Sequence, residues 1–384
     1  MNVGSLKPAE QRVVSPYLSR LKLKAFGRSN LYPQEVRNIV LASPNGRNCY
    51  ERRATYIEGN GFRSQLLSDA VCSRNGDKVD DILAKCAADV AMYDGVCLHF
   101  NYNVFGEITS MAHIPFEDAR LEEPGEDGVI RHVVVHPDWT GTSTVAGQKL
   151  KVDDDTVERF PIFNPTPEVV IRQIEEAGGI ELYNGQVLYI TRTGRMEYTT
   201  PIFDASLTDM STDEGLANVN NRNVRNNFLA GGMLFVTRGT LGQTDDEEFF
   251  EQIQRLQGDQ NACKIAVVVG STDEDKPQFV PFNSSNFDKE FTETEVAVVS
   301  NIYASFNQDM FYRLRNGSIG FSGQIATEVK LEYCEQVRKN QRMLSRVFYT
   351  AFEHWTTANP MPYKAREDVE IEPLYTANDN AETL

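Results

Sequence analysis

The stretch Pro281–Thr357 reads PFNSSNFDKE FTETEVAVVS NIYASFNQDM FYRLRNGSIG FSGQIATEVK LEYCEQVRKN QRMLSRVFYT AFEHWTT. Its pattern predicts a helix, a glycine-punctuated loop and one long helix. The first helix follows a cap-rich entry, Asn283-Ser284-Ser285-Asn286. It carries Phe291, Val298, Ile302, Phe306 and Met310 along one side of a 3.6-residue period. The loop runs from Arg313 to Gly323 and includes Arg315, Asn316, Gly317, Gly320 and Phe321. In the second helix Val329, Tyr333, Val337, Leu344, Phe348, Ala351 and Trp355 form an apolar stripe. Glu328, Glu332, Glu335, Lys339, Arg342 and Arg346 take the other face. No catalytic pattern is visible here; two helices joined by a polar loop suggest a structural device.

Upstream, Leu207 to Phe228 also has helical spacing (Leu207, Met210, Ala217, Val224, Phe228), interrupted by Glu214 and Asn221. Asparagines crowd this segment from Asn218 to Asn227, beside Arg222 and Arg225. Asparagine is a weak helix former, so propensity does not account for such a helix. A helix this polar is exposed, bridging, or packed on a polar partner, and a ring of identical copies would supply that partner. Gly231-Gly232 ends it. A small α/β module is then predicted: a strand at Met233–Thr237, a helix capped by Thr244 with Glu247 three residues on, and strands at Ile265–Val269 and Gln278–Phe282. The module is entered and left through helices.

The 384 residues carry a net charge of −17, with 41% hydrophobic and 24% charged residues. This is the composition of an ordinary globular chain of two or three compact units. No apolar run approaches the roughly 18 residues that would span a bilayer, and no secretory leader is apparent at the amino terminus. The six cysteines, without a C-x-x-C pair, read as small buried apolar residues rather than a disulfide or zinc framework. An acidic balance is not that of a protein that grips nucleic acid along its whole surface. The exception is residues 1–31, where Lys7, Arg12, Arg20, Lys22, Lys24 and Arg28 face one acid, Glu10. They are expected to form a solvated arm, with an acidic partner surface as the sharper alternative.

Taken in order, the rest of the first 200 residues is a mixed helix-and-hairpin body. Helices are expected at Pro33–Leu41 and Asn48–Ile57. A clearer one carries Val79, Ile82, Leu83, Cys86, Val90 and Tyr93 and is stopped by Asp94-Gly95. Strands Val96–Phe100 and Ile108–Ile114 flank the turn Asn103-Val104-Phe105-Gly106 as a hairpin. Further strands are expected at Val129–His136 and Val187–Thr191. Residues 137–185, broken by proline, glycine and acidic runs, give no assignment.

This layout resembles that of the portal proteins of tailed bacteriophages, in their shorter form. The residues that carry the resemblance are Asn226-Asn227-Phe228-Leu229-Ala230-Gly231-Gly232 before Met233-Leu234-Phe235-Val236, then Gly258-Asp259-Gln260-Asn261-Ala262 before Lys264–Val269. Phe279-Val280-Pro281-Phe282, Asp288-Lys289-Glu290-Phe291, Gly317–Gly323 and the long helix follow. Ile114-Pro115-Phe116-Glu117-Asp118, after the hairpin, is similar to the family's wing region.

The resemblance implies an α+β subunit with a basic arm (1–31), a wing (32–205), stem helices (206–230 and 287–310) and a clip (231–286). A tunnel loop (311–323), a long helix (324–357) and a tail with a reduced or absent crown (358–384) would complete it. It further implies a ring, dodecameric in the virion, at one capsid vertex, assembled in the cytoplasm of a bacterial host. The ring would be the channel for packaging and ejection of double-stranded DNA, which passes without sequence specificity. The major capsid and scaffolding proteins, the terminase large subunit and the neck or adaptor proteins would be its partners, with no membrane and no cofactor. Arg313, Arg315, Asn316, Gly317, Gly320, Phe321 and Gly323 would face DNA. Asn218, Asn221, Arg222, Arg225, Phe291, Ile302 and Phe306 would meet neighbouring subunits in the stem. Asp245, Asp246, Glu247 and Glu248 would serve motor docking on the clip, although the helix dipole alone explains acids in a first turn.

Other candidates have plain readings. Gly317-x-x-Gly320-x-x-Gly323 lacks the Gly-Lys-Ser/Thr ending of a phosphate loop. His132 and His136 share a strand face, but no Cys or third His stands near them, so no metal site is expected. Asp153-Asp154-Asp155 and Asp273-Glu274-Asp275 read as solvated loop charge. No nucleophile elbow or Ser-His-Asp ordering stands out, so no catalytic residue is assigned. An acidic hydrolase (glycosidase or nuclease) and another virion structural protein, such as an adaptor or capsid subunit, are the alternatives.

Overall fold

A computed structural model of the protein describes residues 16–145, 148–193, 197–225, 232–237, 265–270, 278–281, 287–318 and 323–376. The helices are α1 (Tyr32–Ala42), α2 (Pro44–Glu58), α3 (Gln65–Ser68), α4 (Val79–Tyr93), α5 (Pro167–Ala177), α6 (Leu207–Arg225), α7 (Phe287–Ser305), α8 (Asp309–Arg315) and α9 (Gly323–Glu353). The strands are β1 (Tyr17–Leu18), β2 (Leu23–Lys24), β3 (Gly95–Tyr102), β4 (Ile108–Ile114), β5 (Ala119–Glu122), β6 (His132–Val135) and β7 (Thr144–Val145). They continue with β8 (Gln148–Lys149), β9 (Glu158–Pro161), β10 (Gln186–Thr191), β11 (Gly232–Thr237), β12 (Ile265–Gly270) and β13 (Gln278–Pro281). Helix and sheet are mixed in the α+β manner. The chain divides into two compact units, one of Met1–Leu207 with Ile302–Leu384, the other Thr208–Asn301.

In the first unit, local chemistry sets the helix ends. The Ser43 hydroxyl accepts from the Gly46 amide at 2.9 Å and Pro44 opens α2, whose C-cap Gly59 has φ +65°. A Cβ on Gly59 would stand 2.1 Å from the Glu372 carbonyl oxygen, so this position admits only glycine. Helix α4 starts with the Asp81 carboxylate accepting from the Lys78 amide at 2.8 Å. It ends at Asp94, in the left-handed region at φ +54°. That residue is buried, and its carboxylate accepts from Arg53 Nη2 at 2.5 Å and from the Ile202 amide at 2.9 Å. A buried charge is tolerable only with such partners.

Strands β3 and β4 form the expected hairpin, and β10 joins β3, giving the order β10-β3-β4. One core lies behind this sheet. It gathers Ile82, Leu83, Cys86 and Val90 of α4, Val96, Leu98 and Phe100 of β3, and Tyr333, Val337, Leu344, Phe348 and Ala351 of α9. Met361, Val369 and Ile371 close it, so residues after α9 pack back rather than trail away; the Gly61 carbonyl accepts from the Glu372 amide at 2.9 Å. The apolar stripe of α9 is therefore core, and its charged face is solvent-exposed. Cys49, Cys72, Cys86, Cys97 and Cys334 are buried and not joined in disulfides, and Cys263 lies outside the described residues. Among the described residues, no helix is long and apolar enough to cross a membrane.

One expectation needs correction here, and one stretch without a predicted assignment is filled. Residues 17–31 are not a solvated arm: β2 pairs with β5 at one end of a five-stranded sheet ordered β1-β2-β5-β6-β9. Leu21, Leu23, Ala25 and Phe26 are buried, and Arg20 pairs with Asp153 at 3.0 Å. The interleaved apolar residues win because burying each Leu or Phe stabilises by about 1.5–3 kcal/mol, while the cations reach solvent from the other face. Residues 1–15 lie outside the described part. The stretch 137–185 holds β7, β8, β9 and α5, with Thr166-Pro167 opening α5 and Gly178 at φ +89° closing it.

The second unit consists of α6 from Thr208 onward, a three-stranded sheet ordered β12-β11-β13, and α7 as far as Asn301. Strand β11 runs parallel to β12 and antiparallel to β13. The helix expected from Thr244, with Asp245, Asp246, Glu247 and Glu248, lies outside the described residues, as does Asp273-Glu274-Asp275.

Candidate functional site

The segment joining α7 to α9 is built around one buried amide. Helix α7 stops at Ser305, not at Met310, because Asn307 turns left-handed at φ +57° and Gln308 is drawn inside. Gln308 Nε2 donates to the Cys49 carbonyl at 2.8 Å and to Tyr333 Oη at 2.7 Å, while its Oε1 accepts from Arg52 Nη1 at 2.8 Å. The fully buried side chain is thus satisfied on both ends, which is what its burial requires. Arg52 also lies over the Phe311 ring, 4.7 Å from the centroid, and Phe311 meets Tyr333 edge-on at 5.5 Å.

Arg313 and Arg315 are consequently helical, in the last turn of α8, where the carbonyl end favours cations. Both are exposed. Arg315 Nη1 donates to Tyr303 Oη at 3.1 Å and to Asn45 Oδ1 at 3.2 Å, so its tip is held against the body. Asn316 caps α8 and accepts from the Ser318 amide at 3.0 Å. Gly317 follows at φ +73°, with open space around it, and Gly323 is the first residue of α9. Gly320 and Phe321 lie outside the described residues. The connection is therefore shorter than the expected span Arg313–Gly323, because the Gln308 knot restarts the helix at Asp309.

The stem candidates divide. In the second unit, Asn218 and Asn221 are exposed on α6, as are all residues from Thr292 to Ala297 on α7; Val219 is 38% exposed and Val296 54%. Arg222, Arg225 and Phe291 lie on these helices, with side chains outside the description. Ile302 and Phe306 are corrected: both belong to the first unit and are buried there, with Phe306 stacked on Phe203 at 4.4 Å between ring centroids. A neighbouring copy cannot use them. The helical period that grouped them with Val298 cannot register that the helix ends between them.

Among the described residues no group of three His, Cys, Asp or Glu side chains could hold a metal ion. His132 Nδ1 pairs with Glu122 at 2.7 Å, and buried His136 accepts from the Asp138 amide at 3.1 Å. Among the described carboxyl groups, burial and the neighbouring Glu117 push Asp118 up to about 7. Burial likewise raises Asp89, which is offset in part by His113 at 2.7 Å, and brings Arg120 down to about 10. Arg120 is nonetheless saturated, its Nε donating to Asn30 Oδ1 at 2.8 Å and its Nη2 to the Asn30 carbonyl at 2.6 Å. These are packing groups inside the body, not members of an open cleft.

No family model matches the chain, and no curated protein matches it. Among solved structures it is similar to a chain in the neck of a native gene transfer agent (GTA) particle computed with C12 symmetry, at 14% identity and a TM-score of 0.49 over 91% of this chain and 87% of that one. A chain in the virion of the native GTA particle gives 14% identity and a TM-score of 0.47, over 83% and 81%. An HK97 family phage portal protein from Corynebacterium diphtheriae gives 12% identity and a TM-score of 0.34, over 73% and 83%.

Proposed function

We propose that the protein is a portal-type subunit of a phage-like virion, whose copies close into a ring around a channel for double-stranded DNA. One observation supports this most directly: within the second unit α6 and α7 lead into and out of a small three-stranded sheet, and most of their described residues are exposed in a single chain. An asparagine-rich helix without a covering partner has little intrinsic stability, since isolated helices of this length are marginal in water. Sister copies packed side by side would cover these faces and satisfy their amides.

On this reading, residues up to Leu207 with α9 form the wing and its long helix, α6 and α7 the stem, and the β11–β13 module the clip that meets the terminase and neck proteins. The turn between α8 and α9 borders the channel. No catalytic role is assigned to any residue. Twelve copies of a chain of charge −17 make an acidic body that repels phosphate except where cations are gathered. Such a body suits a conduit through which DNA must slide rather than lodge.

Light scattering after size exclusion, combined with negative-stain microscopy, tests the proposal. Closed rings of about twelve subunits are expected, either directly or after addition of a scaffolding or capsid partner. A compact monomer with glycosidase or nuclease activity would overturn it.

A further inference from the structure

The exposed face of α9 carries a concentration of arginine that the turn after α8 does not. A groove of about 370 Å3 along the helix is lined by Arg338, Arg342 and Arg346, joined from other segments by Arg63 and Arg366. The other flank of the same ridge opens a second groove of about 410 Å3, which Arg342 and Arg346 also line, together with Arg192 and Lys339. Glu370 is the sole carboxylate among the residues lining the two grooves. This stands in a chain with 55 acidic against 38 basic residues.

The cations are weakly engaged. Arg63 lies 3.5 Å from Glu370 and 3.8 Å from Glu372, both at the surface. Arg338 has a surface partner, Glu335, at 2.7 Å, and Arg366 rests over the Tyr349 ring at 5.2 Å. Arg342 and Arg346 are exposed and form no ion pair among the described residues. The helix dipole does not explain the cluster: its effect is confined to the last turn, and Arg338 lies about four turns before Glu353. Arginines four apart on a helix rise about 6 Å per step, so Arg338, Arg342 and Arg346 form a row of about 12 Å. A polyanion with closely repeated charge matches such a row, and duplex DNA carries one phosphate per about 1.7 Å of its axis.

We propose that this ridge is a phosphate-backbone contact for duplex DNA, with Arg338, Arg342 and Arg346 as its centre. The proposal rests on the portal reading, which supplies DNA as the polyanion that this body meets. It moves the principal contact from the turn near Gly317 to the face of α9. Guanidinium forks pair with phosphate oxygens in two-point geometry without reading sequence. A short row, rather than a continuous basic surface, lets the duplex be guided without being held.

The test compares the full-length protein with R338Q/R342Q/R346Q and with R28Q/K149Q/R172Q, a control that removes the same charge from exposed positions elsewhere. Binding of a 30-base-pair duplex is titrated from 50 to 200 mM salt. The ridge variant should bind roughly tenfold more weakly at 100 mM salt, with the slope of log affinity against log salt reduced by about 2–3, while the control stays near the parent. Equal behaviour of the two variants overturns the ridge. Competition by poly-glutamate or by free phosphate at lower charge concentration than duplex overturns DNA as the ligand. Thermal melts establish that both variants fold. Ring formation is read separately by microscopy: loss of rings in all three proteins defeats the portal reading, whereas rings with unchanged DNA binding defeat only this inference.

Discussion

Gln308 does at residue scale what no stretch of backbone could do alone. Its amide fastens α2, the end of α7 and α9 to one point through Cys49, Arg52 and Tyr333. Truncation would strand a carbonyl, a hydroxyl and a guanidinium. Gln308→Ala is expected to cost about 2–4 kcal/mol, readable as a lowered midpoint in urea. Asp118 gives a pH-dependent counterpart. Its folded pKa of about 7 lies above the ordinary 3.8, so the folded state holds the proton more tightly than the unfolded one. The stabilising contribution is complete below about pH 4 and is lost as pH rises through 7. Asp118→Asn removes this ionisation, so the melting temperature of the variant relative to the parent should climb from pH 4 to 8. A difference that stays flat across that range would show that the carboxyl is not held protonated.

At the scale of elements, the turn between α8 and α9 can be separated from assembly. Gly317 has nothing within 4 Å of where a Cβ would stand, and the exposed faces of α6 and α7 belong to another unit. Replacing residues 317–322 with a four-residue Gly-Ser turn should leave ring formation intact while lowering the yield of packaged DNA. The measurement is nuclease-protected DNA per particle. Failure of the rings themselves would reclassify the turn as a structural part. The α9 ridge behaves differently: its arginines lie on a helix whose opposite face is core, so their placement is rigid and their loss should not disturb packing.

Over the whole molecule, charge governs how copies meet. Chains of net charge −17 repel one another at long range, and this repulsion is screened over about 10 Å at 0.1 M salt. Ring assembly is therefore expected to be favoured as ionic strength rises from about 0.02 to 0.2 M. DNA binding by the α9 ridge should weaken over the same range. Mass photometry and duplex titration on one preparation would record both trends; parallel responses would mean that a single electrostatic contact controls the two.

The sequence by itself determined the elements whose burial repeats with a regular period. The stripe of α9, helix α4 and the β3–β4 hairpin all occur where the pattern put them, because one-sided burial prints its period directly on the residues. It also determined that an asparagine-rich helix and a returning helix bracket a small sheet. Tertiary structure decided what depends on partners distant in the chain. Residues 17–31 look like a basic arm until β2 pairs with β5 and Leu21 and Leu23 pack against Val134, Trp139 and Val157. The end of α7 is set by Gln308 reaching Cys49, 259 positions away, so the period ran on to Met310 where the helix does not. The arginine ridge was hidden for the same reason: Arg342 and Arg346 were visible as a polar face, but Arg63, Arg192 and Arg366 join them only once the chain has folded back.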